Sequence, residues 1–259
     1  MSRTSPSMPP FPPGGPAEGS GVRLQGVTLR RGANTVLEDL SLDLQEPRIG
    51  VIGDNGAGKS SLFRLICGLD VPQAGKVAVC GQDMREGAAR ALRVGMMFQN
   101  PDEQIVFPTV EEELALSLTA GGRPRGPAIV QAREWLHTRG LAHWAARAVS
   151  GLSHGQRQHV CWLALLIAGP RVLLLDEPFA SLDLPGQALL HQDIAQAPQQ
   201  VIVATHQLDH VRGFARVLWL DHGKVRADGP GAQVCAAYEA DVATRWAQRL
   251  ASRDAAGRA

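Results

Sequence analysis

The sequence predicts an α/β fold: a mixed sheet with a parallel core, an antiparallel β layer ahead of it, and an inserted helical subdomain. Three observations carry that expectation. A glycine-rich stretch, Gly53-Asp54-Asn55-Gly56-Ala57-Gly58-Lys59-Ser60, lies between an apolar run at 48–52 and a helix-spaced set, Leu62, Leu65, Ile66 and Leu69. Apolar residues often alternate through 22–44, with a turn at Gly32-Ala33-Asn34. Strand signals then vanish over 100–168, where helical spacing takes over in 110–118, 128–137 and 153–168.

In chain order, residues 1–20 carry six prolines among Ser and Gly and offer almost nothing to pack, so a disordered tail is expected there. Residues 21–251 form the folded domain, with 252–259 as a flexible end. Further strands are expected at 76–80 and 93–98. After the helical stretch, strands at 172–175 and 201–205 flank a helix at 187–197, which makes a βαβ unit and returns the chain to a parallel sheet. A hairpin follows at Asp221-His222-Gly223-Lys224, and then a helix over 234–250.

The glycine-rich stretch is a G-x-x-x-x-G-K-S phosphate loop in the strand-to-helix context that the motif requires. Gly53, Gly56 and Gly58 let consecutive backbone N–H groups turn toward one anion, so the loop residues Asp54, Asn55 and Ala57 are also expected to border the nucleotide. Lys59 adds a charge for the outer phosphates, and the Ser60 hydroxyl, followed by Ser61, can ligate Mg²⁺ at the helix start. The bland reading is a turn that happens to hold a lysine. Against it, only Lys59, Lys76 and Lys224 are lysines in this chain. A nucleoside triphosphate and Mg²⁺ are the ligands such a loop implies for a P-loop NTPase core.

Composition narrows the partners. With 259 residues and 44% hydrophobic residues the chain can bury a full core, and its net charge of +1 lacks the electrostatic footprint of a nucleic-acid-binding protein. The longest apolar run, 160–168, is far short of the ~20 residues a membrane helix needs. The first residues lack the basic-then-apolar pattern of a secretory signal, so a cytosolic setting is expected. Cys67, Cys80, Cys161 and Cys235 are widely spaced in apolar surroundings and read as buried free thiols.

A second constellation lies downstream. The run Val172-Leu173-Leu174-Leu175 delivers Asp176 and Glu177 at a strand end, where an open parallel sheet builds its site. Asp176 can hold Mg²⁺, and Glu177 can orient or deprotonate an attacking water. Alone, an Asp-Glu pair would be an ordinary acidic turn. Between loop and carboxylates stands Leu152-Ser153-His154-Gly155-Gln156. With Gln99 ending a strand, Ser181-Leu182-Asp183, and Thr205-His206 ending another, the chain after residue 21 resembles the ATP-binding-cassette ATPases.

That resemblance implies a head-to-tail dimer, each ATP held between one subunit's phosphate loop and the other's signature at Ser153, His154, Gly155 and Gln156. It also implies that Gln99 binds Mg²⁺ or water and reports nucleotide occupancy to the helical segment. His206 would contact the γ-phosphate and position the water, with Asp183 between the sites. A zinc pair of His206 with His210 lacks the Glu of a zinc hydrolase. The other histidines, His137, His143, His159, His191 and His222, read as surface or satisfied core groups. Two positions depart from the family's pattern. His154 replaces the signature's second glycine, and Arg30-Arg31 occupy the stretch where an aromatic commonly stacks on adenine. Arg31 could cover the base with its guanidinium plane, or the contact is absent.

Within the family, 99–106 and 108–112 are similar to the energy-coupling-factor importers. There, two ATPase subunits on the cytoplasmic face drive a transmembrane coupling protein and a small solute-binding membrane protein. The whole chain is most similar to the biotin importers, with cobalt and nickel systems next. A soluble cassette ATPase, a P-loop small-molecule kinase and a catalytically dead cassette are the rival classes. The absence of a second cassette or coiled coil, the signature, and the presence of Lys59, Asp176, Glu177 and His206 speak against them in turn.

Overall fold

A computed structural model describes residues 21–85 and 93–256, with side chains through 252. The tail expected over 1–20 lies outside the described residues. Two sheets form the framework. The first is antiparallel, ordered β2-β1-β4-β5, from β1 (Val22–Arg31), β2 (Asn34–Leu44), β4 (Ala74–Val79) and β5 (Gln82–Asp83). The second is ordered β10-β9-β3-β8-β7-β6, from β3 (Arg48–Ile52), β6 (Val94–Met97), β7 (Val172–Asp176), β8 (Gln200–Ala204), β9 (Arg216–Asp221) and β10 (Lys224–Gly229). It is parallel from β6 to β9, and β10 returns antiparallel through the expected hairpin.

Burial explains the strand patterns. β1 and β2 bury alternate residues, as a sheet with one wet face must, whereas all five residues of β7 and of β8 are buried. Helix α1 (Lys59–Ile66) packs Leu62, Phe63, Leu65 and Ile66 between the two sheets, with Leu24, Leu44 and Val51 in the same cluster. Burying each such side chain contributes roughly 1.5–3 kcal/mol. On the opposite face of the parallel sheet, Leu173, Leu175, Val201 and Val203 meet α5 (Leu184–Gln196) and α6 (Gly231–Ala256) through Ile194 and Val234.

Three helices follow β6: α2 (Val110–Ala120), α3 (Arg125–Thr138) and α4 (His154–Ala168). They share an apolar cluster that includes Val110, Leu114, Ala132 and Leu136. Helix α4 belongs to two clusters at once. Its Val160, Leu163 and Ile167 enter the helical one, and its Cys161, Trp162 and Leu166 enter the sheet's. It therefore ties the helical segment to the sheet.

Several details differ from expectation. The two-residue β5 has no sequence signal, being too short for periodicity. Helix α6 runs to Ala256, past the expected end at 250 and into the stretch expected to be flexible, while 257–259 lie outside the described residues. All four cysteines are free, but only Cys161 and Cys235 are fully buried, and Cys67 and Cys80 are half-buried.

Candidate active site

The phosphate loop needs backbone conformations that only glycine adopts without strain. Gly53, Gly56 and Gly58 have φ of 145°, 83° and 110°. A Cβ on Gly53 would lie 2.2 Å from the Leu220 carbonyl oxygen, and one on Gly58 2.7 Å from a Leu37 methyl, so β9 and β2 press the loop from two sides. Ala57 is buried, its N–H donating to the Asp54 carbonyl at 3.1 Å. Lys59 is 7% exposed, and its ammonium donates to the Gly53 and Asp54 carbonyls at 2.8 and 3.2 Å. The loop thus holds its own cation.

Adjacent parallel strands bring the distant motifs to this loop. Register pairs Asp176 with Ala204 and Leu175 with Met97, so Glu177, Thr205 and the segment after β6 leave the sheet at the same edge as Gly53. Lys59, Ser60, Gln99, Asp176, Glu177 and His206 consequently line one recess of about 640 Å³, together with Gly53, Asp54, Asn55, Gly56, Gly58 and Ser61. Asp176 and Glu177 are both buried. Burial lifts the Asp176 carboxyl above its usual range. A hydrogen bond from Ser60 opposes the lift, the Glu177 charge adds to it, and Lys59 opposes it.

Glu177 sits in the left-handed region, with φ of 49°. Its N–H donates to the Ala204 carbonyl at 2.8 Å, which pins that turn to β8. Its Oε2 accepts from the His206 N–H at 3.3 Å and lies 2.9 Å from His206 Nδ1. The expected acid and its histidine are therefore in direct contact. His206 and His210 do not converge: His210 pairs with His191 at 2.6 Å, and both rings stack on Phe179. His191 is thus a satisfied group, paired with His210 and stacked on buried Phe179, which agrees with its reading as a surface or satisfied core histidine. No sequence spacing could have joined residues 191 and 210 to 179.

For a divalent cation, the Ser60 hydroxyl, the Asp176 carboxylate and the Gln99 amide oxygen offer hard oxygen donors in this recess, and its positive charge would compensate the burial of Asp176. The residues fit Mg²⁺.

The signature residues lie elsewhere. Ser153 caps α4 with its hydroxyl accepting from the Gln156 N–H at 3.3 Å, while the Gln156 side chain accepts from the Ser153 N–H at 3.1 Å. Ser153, His154, Gly155 and Gln156 line a second recess of about 680 Å³ with Leu182 and Asp183, and none of its residues is shared with the first. Asp183 caps α5, accepting from the Gly186 N–H at 3.0 Å. One chain keeps loop and signature apart. The Gln99 segment reaches α4 through an ion pair of Asp102 with Arg157 at 2.9 Å.

Three residues in or next to the first recess escaped sequence reasoning. Tyr238 of α6 and Val36 of β2 are in its lining, and Arg245 reaches the loop through Asp54. Arg31 also lines the recess, and it pairs with Asp70 at 2.9 Å.

Strand-end carboxylates facing a phosphate loop, with a histidine on the acid, define a P-loop ATPase. The family model described as ABC transporter matches residues 37–180, more than half the chain. The chain belongs to that family and is an ATPase of it. It is 46% identical over 213 residues to a biotin transport ATP-binding protein, BioM, of Rhodobacter capsulatus, covering 82% of this chain and 91% of that one. It is 33% identical over 217 residues to the energy-coupling factor transporter ATP-binding protein EcfA1 of Enterococcus faecalis, covering 81% and 78%. A solved dimeric ATP-binding cassette, MJ0796, bound to ADP and phosphate, superposes with a TM-score of 0.69 at 25% identity, covering 81% of this chain and 98% of that one. No helix among the described residues is long and apolar enough to cross a membrane.

Proposed function

We propose that this ATPase powers an energy-coupling-factor importer whose solute is biotin, and that it works as a homodimer on the cytoplasmic face of the membrane. The observation that carries the ATPase chemistry is the convergence of Lys59, Ser60, Gln99, Asp176, Glu177 and His206 on one recess. Lys59 and the loop N–H groups bind the triphosphate. Mg²⁺, when bound, neutralises phosphate charge. Glu177 orients the attacking water and accepts its proton, and His206, 2.9 Å from that carboxylate, holds the acid in place and reaches the outer phosphate.

The dimer reading rests on the two unshared recesses. A γ-phosphate bound at one chain's loop needs Ser153, the Gly155 N–H and the α4 N-terminus of the second chain to enclose it. The Asp102–Arg157 pair gives the Gln99 segment a direct hold on the signature helix, which would pass nucleotide occupancy toward the membrane partners. Those partners are a transmembrane coupling protein and a small solute-binding membrane protein. Biotin is supported by the similarity to the Rhodobacter capsulatus protein over 82% of this chain and 91% of that one.

The test is copurification of the chain with both membrane proteins, followed by uptake of labelled biotin into vesicles loaded with ATP. ATP-dependent biotin uptake is the expected result. Uptake of cobalt or nickel ions in its place would sink the cargo, and an active ATPase that copurifies with neither membrane protein would sink the importer.

A further inference from the structure

Asp54 is the one acidic residue of the phosphate loop, and it lines the recess that takes the triphosphate. A carboxylate at that place repels the anion that the loop is built to hold. The final helix meets this charge. Tyr238 Oη donates to Asp54 Oδ1 at 2.6 Å, and Arg245 donates from Nη1 to Oδ2 at 2.5 Å and from Nη2 to Oδ1 at 3.3 Å. The forked contact and the phenol occupy both carboxylate oxygens.

Each partner of Asp54 is itself fixed. Arg245 Nε donates to Asp241 Oδ2 at 2.7 Å, one turn earlier on α6. Arg226 of β10 donates to the other oxygen of Asp241 at 2.5 Å, and its guanidinium lies 4.2 Å from the Trp219 ring centre. Trp219 of β9 packs edge-on against the Tyr238 ring at 5.3 Å. The contacts close a loop from hairpin to helix to phosphate loop. The Arg245 and Tyr238 hydrogen bonds hold the Asp54 carboxyl below its usual range, so it stays charged. Burial, then Asp54, pushes the Tyr238 phenol up to about 12, so it stays a donor.

We propose that Tyr238 and Arg245 are positioning residues for the nucleotide: they bind the Asp54 carboxylate to α6 and cancel its charge, so that the loop meets the triphosphate with no competing anion. The inference rests on the phosphate loop being the ATP site. It assigns the C-terminal helix a part in nucleotide affinity.

The experiment measures binding of a fluorescent ATP analogue to the full-length chain at fixed Mg²⁺ and two salt concentrations. Arg245→Gln is expected to weaken binding about tenfold, the size of effect expected of one uncompensated unit charge beside a partly exposed anion site. The deficit should shrink at the higher salt. Asp54→Asn with Arg245→Gln should return affinity to within about threefold of wild type, because the charge needing compensation is gone. Tyr238→Phe keeps the ring on Trp219 and should weaken binding about threefold beside Asp54 but not beside Asn at that position. Wild-type affinity in Arg245→Gln, or a double variant as weak as Arg245→Gln, overturns the proposal. So does an equal loss from Tyr238→Phe in both backgrounds. Lys59→Ala separates the two levels: if it binds the analogue like wild type, the loop assignment itself has failed.

Discussion

The phosphate-loop recess and the signature recess are close in size, about 640 and 680 Å³, and differ in how their polar groups are satisfied. In the first, Lys59 is held by loop carbonyls, Asp54 by Tyr238 and Arg245, Asp176 by Ser60, and Glu177 by His206. In the second, walls of Trp144, Trp162, Leu182 and Leu189 surround the signature. There, buried His154 Nδ1 and Gln158 Oε1 have no hydrogen-bond partner among the described residues. Buried polar atoms are nearly always paired in a finished protein surface. The contrast teaches that the loop recess satisfies its polar groups within one chain, whereas the signature recess combines apolar walls with buried polar atoms that its own chain leaves unpaired.

The largest break in that comparison is at Glu177. Glu177→Gln should leave ATP binding intact and slow hydrolysis by about 10²–10⁴, the usual loss on removing a general base. A near wild-type turnover in the assembled transporter would assign the water-orienting role to another group. Next comes Ser153→Ala, which removes a capping hydroxyl worth about 1 kcal/mol to the helix. Because Ser153 lies outside the loop recess, nucleotide affinity of the isolated chain should stay within about twofold while hydrolysis falls about tenfold. Parallel losses in both measurements would erase the distinction between the two recesses.

The smallest effect concerns the base. Arg31 and Val36 line the recess where an aromatic would stack, and Arg31 is engaged by Asp70. Base–aromatic stacking is worth about 1–3 kcal/mol elsewhere. Arg31→Tyr gives up that ion pair, so titrations should show ATP binding tightened by only about three- to tenfold. Wild type should prefer ATP over GTP by less than about a hundredfold. A larger preference would mean that another residue already reads adenine.

Sequence legibility followed range of interaction. Strand β3, the loop and α1 were readable because motif and periodicity lie within about twenty residues. The Asp176-Glu177 strand end and His206 were readable as motifs, and the parallel register then placed them without further information. Tyr238 was visible as the only tyrosine, yet its partner Asp54 lies 184 positions earlier, and no local pattern encodes that contact. The same holds for Arg245, which lies 191 positions from Asp54. The His191–His210 pair is hidden for a related reason, since the two rings lie on different elements and meet each other and Phe179 only in the folded chain. Short β5 was missed because it rests on pairing rather than on propensity, whereas α6 continues past Leu250 through exposed Ala251 and Ser252, which carry no apolar period.

The separation of loop and signature into recesses with no shared residue has a consequence for how activity depends on amount. If neither half turns over alone, the rate in dilute solution follows the number of chain pairs. Below the dimer's dissociation constant, doubling the protein then quadruples the total rate, and at high concentration the dependence becomes linear. A membrane partner that holds two chains side by side abolishes the quadratic regime by fixing their local concentration. Free subunits diluted through the cell would then waste little ATP, and hydrolysis would be confined to places where two copies are kept together.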